Sequence, residues 1–308
     1  MKTFIAAAVL LAPLTAQVRF APDKIDIDVD GKPFTTFYYG TEAYKPYLWP
    51  LRAADGKAVT RRWPMEQNTG ESHDHVHHRG LWFSYDDVNG VKFWEADPAY
   101  ASKTPNLGKI VAAGAEWKDG DKEGTLTALL NWNGPDGKTI LHEHRAMTFH
   151  SDPTLRIIDF DITLTAPPDQ KVVFGDTKEG AFAIRLADSM TEKAHGGQMV
   201  SADNGHGMKE IWGKRSNWVD YSGNVDGETL GVAIFDSPSN SRRSYWHARD
   251  YGLFALNPFG QHAFDPSQPE SRLTLDAGKS LHFRWRVVIH PGDAASAHIA
   301  AMYKDWAK

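Results

Sequence analysis

Leu155-Arg-Ile-Ile-Asp-Phe-Asp-Ile-Thr-Leu164 alternates with period two: Ile158, Phe160, Ile162 and Leu164 fall on one face, and Asp159, Asp161 and Thr163 on the other. A side chain changes face at every residue of a strand, so this pattern is a strand with one face in a core. Ser151-Asp-Pro-Thr154 turns into it, and the preceding run Thr139 to Phe149 is reached from Leu126 to Trp132 through the turn Gly134-Pro-Asp-Gly137. Toward the N-terminus, Ile25-Asp-Ile-Asp-Val29 alternates as well, and Asp30-Gly31 is a hairpin signal before Phe34 to Tyr39. Further strands are expected over 172–174, 181–186, 230–235, 252–256, 272–275 and 281–289. Only the end reads as helical: Asp293 can cap it, and Ile299, Met302, Tyr303 and Trp306 share a helical face. The expected fold is all-β, a large antiparallel β-sandwich with a short C-terminal helix.

The chain has 308 residues, enough for a sizeable core, and no cysteine, which excludes disulfides, thiolate metal sites and a cysteine nucleophile. A net charge of −5 argues against a nucleic-acid partner. Lys2, the apolar run Phe4 to Ala12 and the small residue Ala16 read as a secretory signal peptide over 1–16. A single sandwich domain over 17–308 is expected to follow, in a periplasmic or secreted protein. Mean hydropathy is −0.47 and no later stretch is long and apolar enough to span a bilayer, so no integral membrane association is expected.

The densest chemistry is Glu71-Ser-His-Asp-His-Val-His-His-Arg-Gly80, with four histidines in six positions. Read as extended, His73, His75 and His77 point one way and Asp74 and His78 the other. His75, His77 or His78 then serves as a general acid or base beside Arg79, or His73, His75 and His77 hold a divalent metal. The bland alternative is a set of histidines bonded to backbone and neighbours. Trp82, Asp87, Asn89 and Trp94 follow, aromatic rings beside polar groups as in sugar sites. Asp176 and Glu179 are candidate partner carboxylates. Arg185, Lys214, Trp218, Asp220, Tyr221, Asn240, Trp246, His247 and Arg249 complete the candidate substrate contacts. His142-Glu-His-Arg145 lies mid-strand and reads as a solvated face. No phosphate loop, Gly-x-Ser-x-Gly elbow or His-Glu-x-x-His helix is present.

Several strings are distinctive together: Lys45-Pro-Tyr-Leu48, the stretch from Asp74 to Phe83, Asp87-Val-Asn-Gly90, Phe182-Ala-Ile-Arg185, Trp218-Val-Asp-Tyr221, Trp246-His-Ala-Arg249-Asp-Tyr251 and His290-Pro-Gly-Asp293. The chain resembles, over roughly residues 30–305, the bacterial family labelled "methane oxygenase PmoA", also treated as a domain of unknown function. The resemblance implies a fold similar to the galactose-mutarotase-like supersandwich and export by sugar-degrading bacteria. Mutarotases pair histidines with a late glutamate; here the late glutamates are Glu228 and Glu270. The expectation is an exported protein acting on a glycoside or oxidised sugar, a small molecule or an oligosaccharide, by His/carboxylate acid–base chemistry, of glycoside hydrolase, lyase or sugar epimerase type. A non-catalytic carbohydrate-binding module and an oxygenase-like metalloenzyme on the His cluster are the alternatives. No organic cofactor is expected.

Overall fold

The computed structural model describes residues 15–308. The apolar run of the expected signal peptide lies outside them; Ala16, its last residue, opens the first strand and pairs with Val29. Two eight-stranded sheets dominate. The first runs β1 (Ala16–Phe20), β2 (Lys24–Val29), β3 (Lys32–Tyr38), β4 (Tyr47–Leu48), β5 (Leu81–Tyr85), β11 (Gly180–Arg185), β16 (Leu253–Asn257), β15 (Tyr245–Ala248). The second runs β12 (Gly197–Ser201), β13 (Trp218–Val225), β14 (Glu228–Asp236), β18 (Ser280–Pro291), β9 (Arg156–Thr165), β8 (Thr139–His150), β7 (Glu123–Asn133), β6 (Lys109–Asp119). β10 (Val172–Phe174) pairs with β17 (Leu273–Leu275) apart from both. Every pairing between named strands is antiparallel, as the hairpin signals require.

The sheets meet through aromatic side chains. Phe83 of β5 lies 5.8 Å from Trp132 and 5.7 Å from Trp285, and Phe182 of β11 lies 4.8 Å from Phe160. This is the sandwich the alternation of 155–164 predicts, with Ile158, Phe160, Ile162 and Leu164 in the core between the layers. The reading of 142–145 as a solvated face is corrected. Glu143 and Arg145 point inward, both buried and bonded at 2.6 Å, and Trp132 Nε1 donates to Glu143 at 2.7 Å. Alternation placed them there; polarity alone suggested the opposite.

Helix α3 (Ile299–Trp306) covers the outer face of the second sheet, packing Ile299, Met302, Tyr303 and Trp306 against Trp218, Phe235 and Val288. Asp293 does not cap it. Its carboxylate accepts from Ser296 N at 2.9 Å in the preceding turn, and His298, at φ +56°, sits at the helix start. Two shorter helices, α1 (Gly207–Ile211) and α2 (Gln261–Phe264), lie in connections. The late glutamates are surface residues, Glu228 paired with Lys57 and Glu270 with Arg272.

The outer face of the first sheet carries the remaining chemistry. Register places Tyr38, Tyr47, Trp82, Ala183, Ala255 and His247 in one row across six strands. Two alanines between Trp82 and His247 leave a floor into which Trp94 packs, 5.1 Å from Trp82 and 6.5 Å from His247. Beside this row lie Arg185, opposite Leu253, and Arg249 at the end of β15.

Candidate functional site

The segment 72–78 is a turn, not an extended run. His75 takes φ +46°, a left-handed conformation uncommon for a residue with a Cβ. Arg61, wholly buried, imposes that path: its guanidinium donates to the carbonyls of Ser72, Asp74, His75 and His78 at 2.9–3.4 Å. Gly80 closes the segment at φ +52°, where a Cβ would meet Leu48 O at 2.0 Å. Only glycine permits this close passage between β4 and β5.

The turn gathers three of the four histidines. The His75 ring is sandwiched between His78 at 4.7 Å and Tyr251 at 5.4 Å, nearly parallel to both. His77 lies 4.3 Å from His78, and its Nδ1 is 3.3 Å from the Tyr100 hydroxyl. His73 turns away from these three, stacks on Trp63 at 5.0 Å and lines the neighbouring cleft. The alternation expected of His73, His75 and His77 therefore fails, because a left-handed residue breaks the period of two. Among the described residues no three His, Cys, Asp or Glu side chains are disposed to hold a metal ion.

The electrostatics separate the histidines. Burial, then the charge of Lys45, keeps His77 neutral well below the ordinary imidazole range; burial, with His77 and Arg185 beside it, does the same to His78. His75 differs in being 44% exposed at its side chain, and its Nδ1 is 2.8 Å from Asp74 Oδ2. Asp74 also accepts from Arg61 at 2.5 Å and Arg185 at 2.7 Å. Burial alone would raise that carboxyl, but the His75 bond and the two guanidiniums outweigh it and hold it well below the usual carboxylate range. An ionised Asp74 can only accept at this bond, so His75 Nδ1 is the donor and, in the neutral ring, Nε2 carries the lone pair. Asp74 and Tyr251, the direct neighbours of His75, lie in the wall of a cleft of about 680 Å3, with Ser72, Glu71, Asp188 and Lys193 among its other polar groups. Asp188 anchors the near wall by accepting from Ser72 N at 2.6 Å.

Other expected site residues divide. Arg79 bonds Asp97 at 2.8 Å and faces the Tyr47 ring. Arg185 joins Asp74 and lies 4.8 Å over Tyr251. His247 is buried on the same sheet face, its imidazole brought down to about 4 by burial, and Glu179 beside it bonds Lys178 at 2.7 Å. Asp176 is not free for chemistry: it accepts from His262 N, Ala263 N and Ser271 N. Asp87 and Asn89 form a tight turn beyond the far end of β5, Asp87 accepting from Gly90 N and Asn89 bonding the backbone of Val173.

The expected aromatic lining is corrected: Trp82, Trp94 and Trp246 are buried with no face open to a ligand, and Trp218 lies under α3. Trp246 Nε1 is spent on Ser216 O. Tyr221 faces the core and accepts from Glu192 N; Asn240 braces Asp236 and Arg284; Lys214 is exposed. Asp220 is buried on the second sheet and bonds His290 at 2.6 Å, so it does not join the histidine turn.

Sequence reasoning passed over Arg61, Tyr100, Lys45 and Asp86. Lys45, wholly buried, donates to Trp94 O at 2.8 Å and Ala96 O at 3.1 Å, and burial brings its ammonium down to about 7. Asp86, next after β5, is pushed up to about 6 by burial, with Lys92 opposing and Glu95 and Glu179 adding. Its sequence signal was period two continued from Trp82 through Ser84.

Fold and site together define a β-sandwich protein with an exposed, aspartate-held histidine next to a polar cleft, whose wall carries Asp74, Tyr251 and His73. The chain belongs to the family of unknown function DUF6807, which it matches over residues 24–304. That description assigns no activity, and the methane-oxygenase label is not part of it. No curated protein matches the sequence. Among solved structures the chain is similar to the GH36 alpha-galactosidase AgaB from Geobacillus stearothermophilus, with 9% identity and TM-score 0.44 over 90% of this chain and 41% of that one. It is also similar to the galactosidase domain of the alpha-galactosidase-sucrose kinase AgaSK, with 9% identity and TM-score 0.45 over 90% and 42%. The alpha-galactosidase from Lactobacillus brevis gives 8% and 0.43 over 90% and 40%. The chain thus spans about two fifths of the length of these proteins. Among the described residues no helix is long and apolar enough to cross a membrane.

Proposed function

We propose that the protein is an exported acid–base enzyme acting on a glycoside or an oxidised sugar, with His75 as the proton acceptor. The observation that carries this reading is the 2.8 Å bond from an accessible His75 to a carboxylate that Arg61 and Arg185 keep ionised. In that state His75 Nε2 takes a proton from a bound hydroxyl or an acidified C–H. The Asp74 charge steadies the imidazolium, and the same nitrogen returns the proton to the leaving or rearranged group. Neutral His77 and His78 behind it add no like charge to oppose that protonation. A sugar suits the cleft because groups able to bond hydroxyls line it, Glu71, Asp188 and Lys193 among them.

The test is product detection with a panel of glycosides and keto-glycosides, on the wild type and on His75→Gln. Turnover by the wild type and a loss of ~10²-fold or more in the variant are expected, the scale of a missing general base. Saturable binding without product from any member would assign a binding module instead. A stoichiometric divalent ion in the purified protein would make His75 a ligand rather than a base.

A further inference from the structure

The arginines of the histidine turn are already paired with carboxylates. Arg61 and Arg185 share Asp74, and Asp188 adds its field to Arg61. Arg79 has Asp97, and Lys178 has Glu179. Arg249, half-buried, has neither an ion pair nor a side-chain hydrogen bond among the described residues. Its Nε is sealed from solvent without an acceptor, and so is Nε1 of Trp212, over whose ring the guanidinium lies at 5.1 Å. Neighbouring His247 Nδ1 is likewise buried and unpartnered. Buried donors without acceptors cost free energy, and native proteins rarely leave them so without a bound group that completes them.

The position ties Arg249 to the site. Strand alternation puts Tyr245, His247 and Arg249 on the outward side of β15, with Trp246 and Ala248 in the core. Its charge acts on the Tyr251 hydroxyl together with that of Arg185, and Tyr251 stacks on His75. A planar guanidinium held over an indole presents a fork whose natural complement is a carboxylate.

We infer that the substrate is a carboxylated sugar and that Arg249 receives its carboxylate while His75 faces the ring. This rests on reading the His75 face as a sugar site. The experiment is titration calorimetry with D-glucuronate, D-galacturonate, their uncharged amides, D-glucose and the non-sugar acid glycolate, on the wild type and on Arg249→Gln. At least one uronate should bind ten-fold or more tighter than its amide. Arg249→Gln should abolish that preference, weakening the uronate far more than the amide, and shift Tm little; Arg249→Lys should recover part of it. Equal affinity for uronate and amide, or a preference that survives Arg249→Gln, overturns the inference while leaving the sugar reading intact. Binding of glycolate that depends on Arg249, with no sugar bound, upholds the carboxylate and overturns the sugar. Silence from all six compounds overturns both.

Discussion

Two histidines three residues apart have opposite fates, and substitution should show it. His75 is accessible at one edge, so His75→Gln should cost activity and little stability. His78 is 1% exposed and stacked between His75 and Trp82, so His78→Ala opens a cavity. A loss of about 2–4 kcal/mol is expected for it by denaturant unfolding. Equal stability of the two variants would contradict the burial that separates them. Asp86 offers a pH signature. Its folded value of about 6 lies above the ordinary aspartate value, so between them the folded protein binds more protons than the unfolded chain. The contribution of this group to stability is therefore full at acid pH and lost as pH rises through about 6. Asp86→Asn should stabilise by on the order of 2 kcal/mol at pH 8 and by nothing near pH 3.5, a crossover visible in Tm against pH.

Strands with one wet face were legible throughout, and strands with none only in part: β11 and β16 were expected, β5 and β15 were not. β2, β7, β8 and β9 alternate buried with partly exposed positions, and each is found within a few residues of its expected span. β5, β11, β15 and β16 are buried on both faces, Trp82, Ala183, His247 and Ala255 being covered from outside by the Trp94 loop and its neighbours. Burial on both sides erases the period of two that marks a strand, so β5 and β15 read as loop chemistry. The inward polar pair of β8 carries its own test. Glu143→Ala strands the Arg145 charge and the Trp132 N–H inside the core and should cost about 3–5 kcal/mol in urea unfolding. Glu143→Met combined with Arg145→Leu should recover most of that loss. A single variant as stable as the wild type would mean that water reaches the pair. The helix is testable by deletion: removing residues 299–308 uncovers Trp218, Phe235 and Val288, and should lower Tm and raise binding of an apolar dye.

For the whole molecule, the His-rich segment was found in the sequence as a site, yet its shape was not, because the shape is set elsewhere. A left-handed His75 and a sandwiched ring follow from Arg61, 14 residues before His75, and Arg185, 111 residues after Asp74. No local pattern encodes such contacts. Export belongs to this scale as well: mass spectrometry of protein from its native host should show a mature N-terminus near Gln17, and a main species retaining Met1 would count against it. Arg61 also bears on transplantation. Its fork is to the segment 72–78 what a clasp is to a cord: the cord has no form of its own. Grafting residues 71–80 onto another sandwich would move the histidines and lose their arrangement, because the heritable unit is the turn together with two arginines from distant strands and loops. A relative that keeps all four histidines but lacks the equivalents of Arg61 and Arg185 has the letters of this site without its grammar.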